Sequence, residues 1–226
     1  MGEIRFDGVS HRFGDAVVLQ DVDLLLTEQR IGVVGANGSG KSTMARLVNG
    51  LVSPTAGRVL VDGQDVSRHA REVRRRVGFV FTNPDNQIVM PTVREDVAFT
   101  LRRLKLAPEV AGARVDAALE RFGLTALAER AAHRLSGGQK QLLALAAVLV
   151  AEPSIVVADE PTTLLDARNA RVVAEYLGSL DQQLIVVTHQ LELLEDFDRV
   201  IVMDEGRVVA DAVPAVALAA YRAATR

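Results

Sequence analysis

Residues 35–42 read Gly-Ala-Asn-Gly-Ser-Gly-Lys-Ser and fit the pattern G-x-x-x-x-G-K-[ST]. Each residue type there has a chemical reason. Gly35, Gly38 and Gly40, with Asn37 and Ser39 between them, let the backbone curl so that successive N–H groups face one point. That makes an anion cradle at the N-terminus of the following helix, where the partial positive charge of the peptide dipoles lies. Lys41 brings a compact cation to the β- and γ-phosphates, the Ser42 hydroxyl is a hard oxygen ligand for Mg²⁺, and Thr43 is placed to touch a phosphate as well. The pattern predicts a nucleotide site.

Such a loop needs a strand running in and a helix running out. Ile31–Val34 is a short apolar run ending at Gly35, and 42–50 reads as a helix stopped by Asn49-Gly50. A second strand, Ile155–Ala158, delivers Asp159 and Glu160 at its C-terminal end, where open α/β sheets bind ligands. Asp159 suits Mg²⁺ or its water shell, and Glu160 suits the polarisation of an attacking water. A third element is Leu135-Ser136-Gly137-Gly138-Gln139, in which Ser136 and Gln139 have the spacing of a helix capping box. Two glycines in a helix's first turn cost about 1 kcal/mol each relative to alanine, so their use there suggests exposed N–H groups and a second anion site. His189 ends the strand 184–188 and Phe13 sits between Arg12 and Gly14. Taken alone, either is as readily structural as functional.

The remainder of the chain supplies a scaffold for these groups. Residues 3–30 alternate apolar and polar in pieces broken by Gly8 and Gly14-Asp15, which predicts antiparallel strands. Arg58–Val61 and Val77–Phe81 read as further strands, His69–Arg76 as a solvated basic helix, and 82–87 as loop. From Thr92 to Ala151 the periodicity is helical, with Val93, Val97, Leu101 and Leu104, then Val115, Leu119, Phe122 and Leu127, in step. Arg199–Met203 and Arg207–Ala210 predict an edge hairpin, and 214–226 an alanine-rich helix. The fold class expected is α/β, with a helical lobe inserted into the core.

Composition narrows the class. With 226 residues, 49% hydrophobic and 24% charged, the chain has the balance of an ordinary globular protein, and a net charge of −3 gives no general reason to expect nucleic acid. The longest unbroken apolar run, Leu142–Ala151, falls well short of the roughly 18 residues a membrane-spanning helix needs. The N-terminus shows no apolar signal core, which predicts a cytosolic chain, and the lack of cysteine agrees.

With these motifs in this order, and Ser136 only 23 positions before Asp159, the chain resembles the ATP-binding subunit of ABC transporters over essentially its whole length. The resemblance implies a P-loop NTPase fold of the ABC ATPase type: a RecA-like core, an N-terminal antiparallel β subdomain and an inserted α-helical subdomain. Residues 1–86 and 153–226 would form the core with its β subdomain, and 87–152 the helical subdomain. It makes 35–42 the Walker A motif, 135–139 the ABC signature, 155–160 the Walker B strand, and 163–166, ending at Asp166, the D-loop. Phe13 becomes the aromatic that stacks on adenine, and His189 the switch histidine at the γ-phosphate.

The implied substrate is ATP with Mg²⁺. Ser136 to Gln139 of one chain would cap the nucleotide held by a second chain, a copy or a relative, so that ATP binding closes a dimer and hydrolysis by way of Glu160 reopens it. Asn83–Val89 and Thr92–Phe99 look like the energy-coupling-factor importers of vitamins and transition-metal ions, and within them the biotin group before the cobalt and nickel groups. The implied partners are a transmembrane coupling subunit and a substrate-binding membrane subunit, with this chain peripheral on the cytoplasmic side of the cell membrane. One residue departs from the pattern: Thr82 stands where the family has the Q-loop glutamine, which predicts weaker Mg²⁺ coupling or slower hydrolysis. Gln87, Arg94, Glu95 and Asp96 are candidates for partner docking. Two alternatives stand beside the importer. A soluble ABC ATPase of iron–sulfur cluster assembly carries the same motifs, whereas DNA-repair relatives need a longer insertion than the 94 positions between Lys41 and Leu135.

Overall fold

A computed structural model describes residues 2–224 of the chain. The alternation at the N-terminus folds as expected into β1 (Ile4–Phe13) and β2 (Ala16–Leu26), an antiparallel pair turning at Gly14-Asp15. Ile4, Phe6 and Val9 of β1 and Leu19, Val22, Leu24 and Leu26 of β2 are buried. Gly8 does not break the strand. It lies in a register shift between Phe6 and Val9, a bulge that bends β1 without ending it. With β4 (Ala56–Val61) and the two-residue β5 (Gln64–Asp65), these strands make a sheet of order β2-β1-β4-β5.

The second sheet is built from apolar runs that a two-sided burial demands. β3 (Arg30–Gly35), β6 (Val77–Val80), β7 (Ile155–Asp159), β8 (Gln183–Val187), β9 (Arg199–Asp204) and β10 (Arg207–Ala212) take the order β10-β9-β3-β8-β7-β6. β9, β3, β8 and β7 are parallel neighbours, and all five residues of both β7 and β8 are buried. The expected terminal hairpin forms, but only β10 is an edge strand, because β9 pairs in parallel with β3 from Ile31–Arg199 to Gly35–Met203. Helices α1 (Lys41–Val48), α2 (Val66–Arg76) and α7 (Pro214–Ala224) accompany these sheets, and the part of the C-terminal helix expected beyond 224 lies outside the described residues.

By compactness the chain divides into two units, with the boundary falling inside β6. The first holds residues 2–78, Ser154–Glu160 and 180–224. The second holds Phe79–Pro153 and Pro161–Ser179. The second unit is helical: α3 (Val93–Leu101), α4 (Pro108–Arg121), α5 (Gly137–Leu149) and α6 (Ala167–Gly178). Val93, Val97, Leu101, Val115, Leu119 and Phe122 fill its core as the periodicity required. Leu104 and Leu127 lie in short 3-10 turns and are only half-buried, since α3 ends at Leu101 and α4 at Arg121. Among the described residues no helix is long and apolar enough to cross a membrane.

Candidate functional site

In the first unit, β3 ends at Gly35 and α1 begins at Lys41, so the loop between them lies at a strand's C-terminal end and a helix's N-terminus. The turn into the helix requires glycine at 40. Its φ is +97°, and a Cβ there would stand 2.7 Å from both Leu19 Cδ2 and the Val18 carbonyl oxygen. Asn37 and Gly38 are exposed, while Ser39, Lys41 and Thr43 are buried. Lys41 Nζ donates to the carbonyls of Gly35 (2.8 Å) and Ala36 (2.7 Å). Burial pulls its pKa below the ordinary lysine value, against the opposing charges of Glu160 and Asp159. The ammonium is thus held in the loop by two carbonyls, partners it can exchange for phosphate oxygens.

β7 and α1 bring the two expected Mg²⁺ ligands together. The Ser42 hydroxyl donates to Asp159 Oδ1 at 2.7 Å, and Arg46 Nη2 lies 3.5 Å from Asp159 Oδ2. Asp159 is 1% exposed, and burial raises its pKa although Ser42 and Arg46 pull it down. Arg46 escaped the sequence reading, yet its spacing was informative: four positions after Ser42, it shares a helix face with that residue. Glu160 follows in a left-handed conformation, φ +52°, rare for a residue with a side chain and costing of order 1–3 kcal/mol. Its backbone N–H donates to the Val187 carbonyl at 2.8 Å, and its Oε2 lies 2.8 Å from Nδ1 of His189, two residues past β8. The two strand-end residues expected to act at the γ-phosphate therefore touch each other. Phe13, at the end of β1, is 54% exposed and meets His11 edge to face at 4.5 Å.

In the second unit, Ser136 caps α5 as its spacing predicted: Gln139 N–H donates to Ser136 Oγ at 3.3 Å and Ser136 N–H to Gln139 Oε1 at 3.0 Å. The two glycines of that turn differ. Gly137 has only Leu165 Cδ2 near the place of a Cβ, at 4.0 Å, whereas a Cβ on Gly138 would lie 2.3 Å from Asn169 Oδ1. Gly138 therefore has a packing reason as well as any anion-binding one: α6 approaches α5 there. Asp166 caps α6, accepting from Asn169 N–H at 2.9 Å and Asn169 Nδ2 at 2.7 Å. Thr82 is half-buried in the loop after β6. In the same loop Gln87 accepts from the Phe81 N–H (3.2 Å) and donates to the Ala144 carbonyl (2.9 Å), so its amide is committed as a brace.

The expected docking residues are similarly engaged. Asp96 is buried and accepts from the N–H groups of Val89 and Met90, Glu95 closes the capping box with Thr92, and Arg94 pairs with Asp116 and Glu129. Their charges are spent inside the unit.

The donor set fits a nucleotide with Mg²⁺. One hydroxyl and one carboxylate, 2.7 Å apart, are hard oxygen donors beside a phosphate-type loop, and among the described residues no cluster of three His, Cys, Asp or Glu forms a cation cage. This ion characteristically takes few protein ligands and completes its shell with phosphate and water.

A phosphate-type loop between β3 and α1, with a hard-oxygen pair from Ser42 and Asp159 beside it, is the nucleotide site of a P-loop protein. The sequence model of the family described as ABC transporter matches residues 19–163. The chain belongs to that family; it is an ABC ATP-binding domain with the corresponding mixed α/β fold, and an ATP hydrolase. It is 48% identical to the biotin transport ATP-binding protein of Rhizobium etli, over 97% of each chain. It is also 43% identical to an energy-coupling factor transporter ATP-binding protein of Caldanaerobacter subterraneus, over 87% of this chain and 74% of the relative. Among solved structures, cbiO1 of Clostridium perfringens, part of the ABC transporter complex cbiONQ, superposes with a TM-score of 0.85 at 32% identity, over 96% of this chain and 90% of that one.

Proposed function

We propose that this chain is the ATPase of an energy-coupling-factor type importer that takes up a vitamin, biotin first and a transition-metal ion second. The observation that carries the reading is the 48% identity to a biotin transport ATP-binding protein across nearly the full length of both chains. The ATPase does not touch the cargo. Its partners are a transmembrane coupling subunit and a substrate-binding membrane subunit, which hold it at the cytoplasmic side of the membrane.

In the reaction, ATP plus water gives ADP plus phosphate. The ATP phosphates draw Lys41 Nζ from the Gly35 and Ala36 carbonyls, and Phe13, already exposed, stacks on adenine. Ser42 and Asp159, joined here by a hydrogen bond, would hold Mg²⁺, and Thr82 would contribute to its water shell. The ion, when bound, neutralises charge on the phosphate oxygens. Glu160, released from His189, accepts a hydrogen bond from the attacking water and orients it, while His189 turns to the γ-phosphate. A second chain, identical or related, offers its own Ser136–Gln139 turn and Asp166 to this nucleotide. ATP thus closes the pair, and loss of the γ-phosphate reopens it.

The test is a tagged pull-down of the chain from detergent-solubilised membranes of its own cells, with partners and bound small molecules identified by mass spectrometry. Recovery of two membrane proteins with a bound vitamin is the expected result. Recovery of soluble cluster-assembly proteins alone overturns the importer and leaves the ATPase chemistry standing.

A further inference from the structure

We propose that His11 is a positioning residue for nucleotide binding, holding the Phe13 ring in the plane on which the base stacks. This role rests on the reading of Phe13 as the adenine platform and adds to it a residue outside every motif of the site. Phe13 closes β1 beside the Gly14-Asp15 turn and is 54% exposed, so its neighbours restrain the ring weakly. A side chain that must be ordered when a ligand arrives subtracts the cost of that ordering from the affinity. Whatever fixes the ring beforehand therefore tightens binding.

His11 is placed to do this. It follows Val9 in the buried row of β1, a row otherwise filled by Ile4 and Phe6. Its Nδ1 lies 2.9 Å from the Ser53 carbonyl, in the segment between α1 and β4, and carries the proton because a carbonyl oxygen only accepts. Nε2 is buried and has no hydrogen-bond partner among the described residues. A buried nitrogen without a partner costs stability that an aliphatic side chain would not. What an aliphatic side chain lacks is a flat ring in a fixed plane. The Ser53 bond sets the plane of the imidazole, which meets Phe13 at 4.5 Å between centroids and 81° between planes, an edge-to-face arrangement that aromatic pairs prefer. The segment bearing Ser53 is itself tied to the strand, since the Thr55 N–H donates to the Ser10 carbonyl at 2.9 Å. Leu19, the register partner of His11 on β2, is a side chain that a Cβ on Gly40 would strike at 2.7 Å. The platform for the base and the cradle for the phosphates are therefore built against one pair of strands.

Calorimetric binding of ADP and of inorganic tripolyphosphate to the purified full chain tests the role, because tripolyphosphate occupies the phosphate loop and has no base to stack. His11→Asn keeps a side-chain N–H for the Ser53 carbonyl and removes the ring. It should weaken ADP binding about three- to tenfold, the weight of one aromatic pair, and raise KM for ATP alike. Tripolyphosphate binding and kcat at saturating ATP should stay unchanged. His11→Phe, which restores a ring, should recover part of the loss, and in a Phe13→Ala chain His11→Asn should add nothing further. Wild-type ADP affinity in His11→Asn beside weakened binding in Phe13→Ala would overturn the role of His11 and leave Phe13 on the base. Tripolyphosphate binding weakened as much as ADP binding would make His11 a support of the whole loop and overturn the role equally. Unchanged ADP binding in Phe13→Ala would remove the adenine platform, and the role of His11 with it.

Discussion

Two buried carboxylates, one in each unit, show how alike a functional and a structural acid can look. Asp159 and Asp96 are 1% and 3% exposed, and burial raises the pKa of both. They differ in what holds them. The partners of Asp159 include a serine hydroxyl and an arginine 3.5 Å away, both side chains able to turn aside. Asp96 accepts through a single oxygen from two backbone N–H groups, those of Val89 and Met90, at 2.8 and 2.9 Å. A side-chain partner can be displaced by a ligand, whereas a backbone partner yields only if the loop unfolds. Displaceable partners mark the acid that waits for something; fixed ones mark the acid that organises its own chain.

The strongest way to break this contrast is Asp159→Asn. An amide keeps an oxygen for Ser42 and removes the burial cost of the charge, so the melting temperature should hold or rise. Hydrolysis should nonetheless fall by a factor on the order of a hundred or more, because a hard anionic ligand is gone. Unchanged phosphate release at saturating Mg²⁺ would make Asp159 as structural as Asp96. The converse substitution is Asp96→Ala, which strands two N–H groups and should cost about 1–3 kcal/mol in urea unfolding while leaving kcat within about twofold.

The α5 turn sharpens the contrast between fixed and displaceable contacts. Gly138→Ala drives a methyl into Asn169 and should destabilise the chain by roughly 1–3 kcal/mol, with Asn169→Ala in the same chain recovering part of the loss. Gly137→Ala meets only Leu165 Cδ2, at van der Waals distance, and should shift stability by no more than a few tenths of a kcal/mol. Equal losses at the two positions would remove the packing reason for Gly138.

These residues also show where the sequence was readable. The elements around the P-loop, the strand bearing Asp159 and Glu160, and the Ser136 cap were legible because each depends on neighbours in the chain: a glycine pattern, an apolar run, a three-residue spacing. What escaped were contacts between side chains far apart in sequence. Arg46 on Asp159, His189 on Glu160 and Asn169 against Gly138 arise only when β7, β8 and the helices are assembled. The same limit explains the docking residues, since exposed-looking charges at Arg94, Glu95 and Asp96 give no local hint that Asp116, Glu129 and the Thr92 and Val89–Met90 backbone already engage them. Gly8 failed in the opposite sense, because a bulge and a strand end have the same local signature.

A smaller effect on catalysis is expected at Thr82. Its hydroxyl is shorter than the glutamine amide of the family pattern, and Gln87, tied to the Phe81 N–H and the Ala144 carbonyl, is not free to replace it. Thr82→Gln should raise the hydrolysis rate a few-fold and lower the Mg²⁺ concentration for half-maximal rate, an effect worth about 1 kcal/mol. A rate and Mg²⁺ dependence both unchanged would remove Thr82 from the metal's surroundings.

The finest test of the two acids is Asp96→Asn read against pH. Because burial raises the folded-state pKa of Asp96 above its unfolded value, the folded chain binds the proton more tightly. The protonated acid's contribution to stability is full below the unfolded pKa of about 3.9 and is lost as pH rises through the folded value. Asparagine carries no such proton, and its amide oxygen can accept from both Val89 and Met90. The variant should therefore gain on the wild type as pH climbs from about 4, levelling at neutral pH, and the two should converge in acid. A variant that loses stability relative to wild type with rising pH would mean that the ionised carboxylate is favoured at this site, so that Asp96 is held by more than the two backbone donors of its loop.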